Sequence, residues 1–356
     1  MQDAFTCGPP VCGDDFFGRS ALMDSLRASM VASRESTLLI GESRIGKSSI
    51  LRQLGYLATA STSTVYFDGY VSGSPDRFAA HLGLALESAG GQLSRAAKAG
   101  QKGLYSVLRL LESLKDRLTI LIDEVDGIVA DKESARFIRS VASTGHKIII
   151  ATSRIDPSQH ESHPDEPVWW NVFQVRYVGL FEEAEATEML FTLSERSGKR
   201  FSGGECSFVI EVMGCFPFLL QWLGREVFRR GFRDCTTAER RQLLQELATD
   251  FEFLNIIQSH FTGWIERLDS RQTQLLLNSS SSRGISPHPA IANLKNRGLL
   301  VEDESGRWRP FSRLFCEFLQ SVPKDSVLSD DVKAKLWQGL FPAIKTVFDV
   351  AAKHYL

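Results

Sequence analysis

Residues 41–49 read Gly41-Glu42-Ser43-Arg44-Ile45-Gly46-Lys47-Ser48-Ser49, the pattern G-x-x-x-x-G-K-S. No other stretch restricts the fold as strongly, because each residue type has a task that needs a set context. The glycines let backbone N–H groups close around phosphate oxygens with no Cβ in the way. Lys47 brings a mobile positive charge to β- and γ-phosphates, and the Ser48 hydroxyl is a ligand for Mg²⁺. Thr37-Leu38-Leu39-Ile40 reads as a short buried strand, and Ser49–Leu54 has helical spacing. A phosphate held here sits at a helix N-terminus, where the dipole favours anions. Gly41, Glu42, Ser43, Arg44, Ile45, Gly46, Lys47, Ser48 and Ser49 are therefore the candidate nucleotide contacts.

Alternating patterns extend this strand–loop–helix unit. Ser20–Arg27 is amphipathic, Val65–Asp68 reads as a second strand, and helical spacing follows at Arg77–Ser88 and Leu104–Leu114. Between them the Gly/Lys/Ala-rich stretch Ala89–Gly103 reads as a surface loop. Leu118-Thr119-Ile120-Leu121-Ile122-Asp123-Glu124-Val125-Asp126 is an unbroken apolar run ending in carboxylates. Such a run belongs to a strand buried on both faces, as in parallel sheets. Asp123 fits a Mg²⁺ ligand beside Ser48, and Glu124 fits the group that polarises attacking water. A further strand, Lys147–Thr152, ends in Ser153-Arg154. Polar residues there face the nucleotide crevice of an open α/β sheet. Thr152 or Ser153 suits the orientation of water, and Arg154 suits the γ-phosphate; a plain surface ion pair is the other reading of Arg154. Phe173–Val178 supplies a fifth strand. The fold class is α/β, a five-stranded parallel sheet flanked by helices.

The chain has 356 residues, room for two or three domains. Its formal net charge of -2 gives no global basic field for nucleic acid or anionic membrane. No apolar run approaches the ~20 residues of a membrane span, and Met1–Phe5 lacks the basic and apolar regions of a signal peptide. The scatter of six cysteines is no disulfide framework, and with the phosphate loop it implies a reducing, cytoplasmic setting. Cys7 with Cys12, and His160 with His163, lack the four convergent ligands of a zinc site.

The phosphate loop, the Asp123-Glu124 pair and the polar strand end together resemble the AAA+ branch of the P-loop ATPases. Phe16-Phe17-Gly18-Arg19 before the first helix adds to the resemblance. It implies that Gly18 and Arg19 help enclose adenine. Ser20 stands where relatives usually carry an acid. Beyond residue 182, helical stretches at Glu182–Ser197, Cys206–Met213 and Pro217–Phe228 read as a lid. Gly214-Cys215-Phe216-Pro217 resembles the Gly-x-Pro element of prokaryotic STAND-type ATPases, which implies that Pro217 packs near the adenine. A helix-first-turn proline is the plain alternative. Replication initiators of the origin-recognition kind carry an arginine at the start of this lid helix, and here none precedes Arg225.

Residues 261–320 resemble the winged helix of STAND ATPases: helices Asp269–Asn278 and His288–Asn296, strand Leu299–Glu302, a turn at Asp303–Gly306, the returning Arg307–Phe311 and a closing helix Ser312–Leu319. Arg297, Arg307, Arg309 and Arg313 are its candidate DNA-phosphate contacts, but the preceding His288–Ala292 is poor in base-reading side chains. The expected division is 1–181 ATPase core, 182–260 helical lid, 261–322 winged helix and 323–356 an amphipathic tail with Leu336, Leu340, Ile344, Val347 and Phe348 on one stripe.

The resemblance implies a slow, regulatory Mg-ATP hydrolase, binding ATP or ADP, whose nucleotide state controls lid, winged helix and self-assembly in bacterial signalling or antiviral defence. A separate sensor or effector protein is the expected partner. If rings form, Arg136 or Arg139 is the candidate arginine finger. The other function class is a DNA-binding AAA+ ATPase of replication or transposition. A small-molecule kinase has no need of a winged helix.

Overall fold

The computed structural model describes residues 4–32, 35–58, 63–71, 74–155, 157, 169–232, 235–281, 284–286, 291–322 and 330–356, the side chains of 71, 237 and 330–341 excepted. His160, His163 and the segment His288–Ala290 lie outside the described residues, as do the side chains of Leu336 and Leu340. The chain forms two compact units, one of Pro10–Gly41 and Gly46–Val178, the other of Met1–Pro9, Glu42–Ile45 and Gly179–Leu356.

The first unit runs α1 (Ser20–Ala32), β1 (Ser36–Ile40), α2 (Lys47–Tyr56), β2 (Ser63–Asp68), α3 (Pro75–Ser88), α4 (Ala96–Gln101), α5 (Leu104–Ser113), β3 (Leu118–Asp123), α6 (Asp126–Val129), α7 (Lys132–Ser143), β4 (Lys147–Thr152) and β5 (Phe173–Tyr177). All five strands are parallel, in the order β2-β3-β4-β1-β5. Successive side chains of a strand point to opposite faces. Leu38, Ile40, Ile120, Ile122, Ile148 and Ile150 accordingly share one core with Phe78 and Leu82 of α3, Val107 and Leu111 of α5, and Ile138 of α7. Odd-numbered neighbours face the other way; a Cβ on Gly55 of α2 would stand 3.8 Å from Leu121. The sheet is thus covered on both sides, and its interior strands β1, β3 and β4 are buried along their whole length.

The expectation of a loop at Ala89–Gly103 fails. It contains α4, and Ala96 and Gly100 are buried. The composition that suggested a loop is what close helix packing requires. A Cβ on Gly100 would stand 2.4 Å from the Ala79 carbonyl oxygen, and one on Gly83 would stand 2.5 Å from that of Ala96.

The second unit contains α8 (Glu183–Arg196), α9 (Gly203–Met213), α10 (Pro217–Arg229), α11 (Thr237–Ala248), α12 (Phe251–Ile265), α13 (Ser270–Ser279), α14 (Ile291–Asn296), β6 (Leu300–Glu302), β7 (Trp308–Pro310), α15 (Arg313–Ser321) and α16 (Asp330–Tyr355). Strands β6 and β7 form an antiparallel hairpin, joined on one side by a single bridge from Ile285 to Trp308. Asp303 closes its turn, accepting from Ser305 N at 2.9 Å and Arg307 N at 3.1 Å. Phe216, just before Pro217, is buried against Trp264 at 4.7 Å and Phe311 at 5.8 Å between ring centroids. Ile344, Val347 and Phe348 of α16 are buried, Phe348 against Phe208 and Phe253, so this stripe packs on its own unit. Helix α12 spans the position expected to divide lid from winged helix. Among the described residues no helix is long and apolar enough to cross a membrane.

Candidate phosphate and hydrolysis site

In the first unit, the sheet order places β4 between β1 and β3. Its polar end therefore emerges between the strand that feeds the phosphate loop and the strand that ends in Asp123. Ile40 pairs with Thr152, and Gly41 N reaches the Thr152 carbonyl at 3.4 Å. Lys47 opens α2, is nearly buried, and donates through Nζ to Gly41 O at 2.9 Å and Ser153 Oγ at 2.8 Å. Ser153, at the β4 end, thus meets Lys47. Arg154 is exposed.

Asp123 ends β3 and is buried. Its Oδ1 accepts from Glu124 N at 3.1 Å, and its Oδ2 accepts from the Tyr66 hydroxyl at 2.9 Å. Burial, and then the Asp123 carboxylate, raise the Tyr66 phenol above its ordinary value, so it remains a donor. Arg52 of α2 lies over the Tyr66 ring at 4.7 Å. Glu124 is exposed. Burial first, then the Asp123 charge, raise its carboxyl above the ordinary range, and Lys47 opposes them. A raised pKa keeps a carboxylate nearer the strength a general base needs. Gly69 makes room for this end of β3, since a Cβ there would stand 2.8 Å from Asp123 O and 3.0 Å from Glu124 O.

Three described non-glycine residues have left-handed φ: Arg19 at 60°, Arg44 at 68° and Glu124 at 50°. Each belongs to a different candidate motif. Such conformations cost of order 1–3 kcal/mol and concentrate at functional sites. Arg19 Nε lies 4.0 Å from where a Cβ would stand on Gly46, so Arg19 comes beside the phosphate loop. Gly18 precedes it at φ 65°. Ser49 Oγ accepts from Val11 N at 3.2 Å and Gln53 Oε1 from Gly13 N at 2.7 Å, tying the residues before α1 to α2. Ser48 and Asp123 supply oxygen donors suited to a hard cation.

The second unit holds the loop apex. Glu42 is fully buried, and its carboxylate receives Arg297 Nε at 2.6 Å and Arg267 Nη1 at 3.1 Å. Arg44 donates to Gly8 O at 2.8 Å and stands over the Phe218 ring at 5.5 Å. Pro217 is buried in the first turn of α10. Gly214 is needed for close approach, because a Cβ there would stand 2.4 Å from Phe311 O. Arg297 was expected among exposed phosphate contacts for DNA. It is buried instead, because Glu42 demands a partner there. Arg313 pairs with Glu211 at 3.4 Å, and Arg309 pairs with Asp303.

Sequence reasoning missed Asp126 and Tyr66 and the partners of Glu42. Only Asp126 carried a signal, a third acid closing the run after β3.

Residues 31–153 match the family model described as an AAA domain. No curated protein matches the chain. Among solved structures, a Walker-type ATPase of Pyrococcus abyssi superposes with a TM-score of 0.60 at 17% identity, covering 89% of this chain and 99% of that one. A STAND protein with a tetratricopeptide repeat sensor from Pyrococcus horikoshii gives 0.41 at 16% identity, covering 98% of this chain and 48% of that one. RuvB of Thermotoga maritima gives 0.47 at 14% identity, covering 90% and 100%. The five-stranded parallel sheet has the fold of a P-loop ATPase, and residues 31–153 are similar to the AAA domain.

Proposed function

We propose that this AAA-type chain is an ATP-hydrolysing switch of the STAND kind, whose nucleotide state sets the arrangement of its helical lid and winged helix and its self-assembly. The observation that carries the reading is the coincidence of the left-handed residues Arg19, Arg44 and Glu124 with the three nucleotide motifs. Gly18 and Arg19 would help enclose adenine, and the role of Pro217 at the adenine is what the STAND resemblance implies. Backbone N–H groups from Glu42 to Ser49 would cradle the phosphates. Lys47 and Arg154 would meet the γ-phosphate, and Glu124 would take the proton of the attacking water. Ser48 and Asp123 would hold Mg²⁺, which when bound neutralises charge on the phosphates.

The regulatory part of the reading draws on the second unit. Arg267 and Arg297 both lie within the 261–322 segment assigned to the winged helix, and both end on Glu42 of the phosphate loop. Phe216 joins the Pro217 turn to Trp264 and Phe311. A change at the loop is thus in contact with the segment it would regulate. Moving such a population from 1:99 to 99:1 needs ATP to favour one state by ~5.5 kcal/mol. A cytoplasmic role in signalling or defence, with a separate effector, follows from the STAND resemblance. The DNA-binding alternative draws on Arg307, Arg309 and Arg313, now without Arg297.

The test is a steady-state ATPase assay of the wild type, Glu124→Gln and Lys47→Ala, with light scattering in ADP and in a non-hydrolysable ATP analogue. We expect Glu124→Gln to bind ATP without turnover and Lys47→Ala to lose binding. Equal mass in both nucleotides removes the assembly half of the reading. Turnover by Glu124→Gln at the wild-type rate removes the catalytic half.

A further inference from the structure

Asp126 has no assigned part in the chemistry, yet three donors converge on its side chain. It opens α6, three residues past the end of β3. Its Oδ1 accepts from the Thr152 hydroxyl and from Arg154 N at 3.2 Å, and its Oδ2 accepts from Ser153 N at 3.0 Å. The Thr152 hydroxyl, which donates its hydrogen bond to Asp126, accepts in turn from Arg154 N at 3.3 Å and Ile155 N at 3.0 Å. The chain leaving β4 is therefore held by one carboxylate and one hydroxyl, at the place where strand pairing stops. Val125 N also reaches Ala151 O at 3.2 Å, so the two strand ends are joined by backbone as well.

These bonds matter for what Ser153 does next. Its amide is fixed by Asp126, and its hydroxyl meets Lys47 Nζ at 2.8 Å. We propose that Asp126 is a positioning residue, which fixes the end of β4 so that the Ser153 hydroxyl and the Lys47 ammonium are aligned for the γ-phosphate. The proposal rests on the reading of this site as an ATP-hydrolysing one. Charge-assisted bonds to backbone amides are the stronger kind, and a carboxylate accepts on both oxygens, where an amide side chain accepts on only one. Asp126→Asn therefore keeps the shape and turns an NH₂ group toward donors. Thr152→Val removes the hydroxyl alone.

Asp126 touches neither substrate nor reacting atoms in this assignment, so it acts through Ser153. That gives it a signature separate from folding. In Asp126→Asn we expect kcat to fall by at least about tenfold, with ATP and ADP dissociation constants and the melting temperature little changed. In a Ser153→Ala background the same substitution should lower kcat by less than about twofold, because the partner it aligns is gone. Effects that multiply in the double variant overturn the proposal, as does a loss of kcat matched by a loss of nucleotide affinity. If Asp126→Asn does not fold, Thr152→Val decides: an unchanged kcat overturns the proposal, and a smaller fall with affinity retained supports it. Wild type and Glu124→Gln run in parallel separate the two levels. Absence of Glu124-dependent turnover in wild type overturns the ATPase reading and this role with it. Turnover present in wild type and unchanged in Asp126→Asn overturns the positioning role alone.

Discussion

Arg297 donates through Nε to the fully buried carboxylate of Glu42 at 2.6 Å, across 255 positions of sequence. A buried carboxylate is costly unless paired and hydrogen-bonded. Arg297 is itself almost completely buried, and Arg267 completes the set on the other carboxylate oxygen. Removing Arg297 leaves the buried Glu42 charge with Arg267 as its remaining arginine, whereas replacing both members of the Glu42–Arg297 pair avoids that under-compensated charge.

Arg297→Met leaves Glu42 with Arg267 and should destabilise the chain in urea denaturation by less than the about 3–5 kcal/mol of a wholly unpaired buried charge. It should also weaken ATP binding, since Glu42 belongs to the phosphate loop. Glu42→Gln combined with Arg297→Met should recover most of the lost stability. Additive losses in the double variant would mean that the two side chains do not depend on each other.

His260 gives a pH dependence. Burial first, then the charges of Arg44 and Arg267, push its imidazole down to about 4 from the ordinary 6.5. The unfolded chain takes up the proton near 6.5, while the folded chain resists it until about 4. Stability from this group is complete above 6.5 and is lost as pH falls through that window. Between pH 7 and pH 5 the loss is about 2 kcal/mol. His260→Phe keeps an aromatic ring against Phe218, which His260 meets edge-on at 4.9 Å. The variant should show a pH–stability slope shallower by that amount in urea titrations at the two pH values; identical slopes would sink the assignment.

The parts legible in the sequence were those whose signal is local. The phosphate loop carries its own spacing, and the run Leu118–Asp123 is buried on both faces, so its apolar continuity gives the strand and its acidic end. Helix α4 was misread because small residues mark both loops and close helix contacts, and only the contact with Gly83 tells them apart. Tyr66 lies 57 positions from Asp123, and Asp126 lies 26 from Thr152. Arg297 was misjudged for the same reason: a basic residue after a helix reads as solvated until a buried acid is found opposite it. Long-range pairs leave no periodicity behind.

The contact between α3 and α4 predicts a stability effect at two small residues. Gly100→Ala brings a Cβ to within 2.4 Å of the Ala79 carbonyl oxygen, which is backbone and cannot rotate away. The helices must separate, at a cost of about 1–3 kcal/mol. Gly127 in α6 has open space at its Cβ position. Gly127→Ala should be neutral or slightly stabilising, by up to about 1 kcal/mol, from helix propensity. Thermal melts of the two variants compare the effects directly, and an equal shift in both would remove the packing argument.

Glu124 combines a strained backbone with a carboxyl shifted by partial desolvation and by the Asp123 charge, and both weigh on the fold. Its φ of 50° is left-handed, and burial followed by the Asp123 charge raises its carboxyl above the ordinary value. For a carboxyl whose folded pKa is raised, the folded state holds its proton to higher pH than the unfolded chain. Stability from this group is therefore present at low pH and is lost as pH rises through the raised value. At neutral pH the ionised side chain destabilises the chain, and Glu124→Gln removes that charge without changing size. The variant should melt at a higher temperature than wild type at pH 7, and the difference should shrink as pH falls toward 4. Turnover should move the opposite way, falling by about 10²–10⁴-fold if Glu124 is the base. The wild-type rate should drop on the acid side at a pH above the ordinary carboxylate range, because the base is lost as it protonates. A Glu124→Gln protein less stable than wild type at pH 7 would contradict the assignment of that side chain as a charge held against its own solvation.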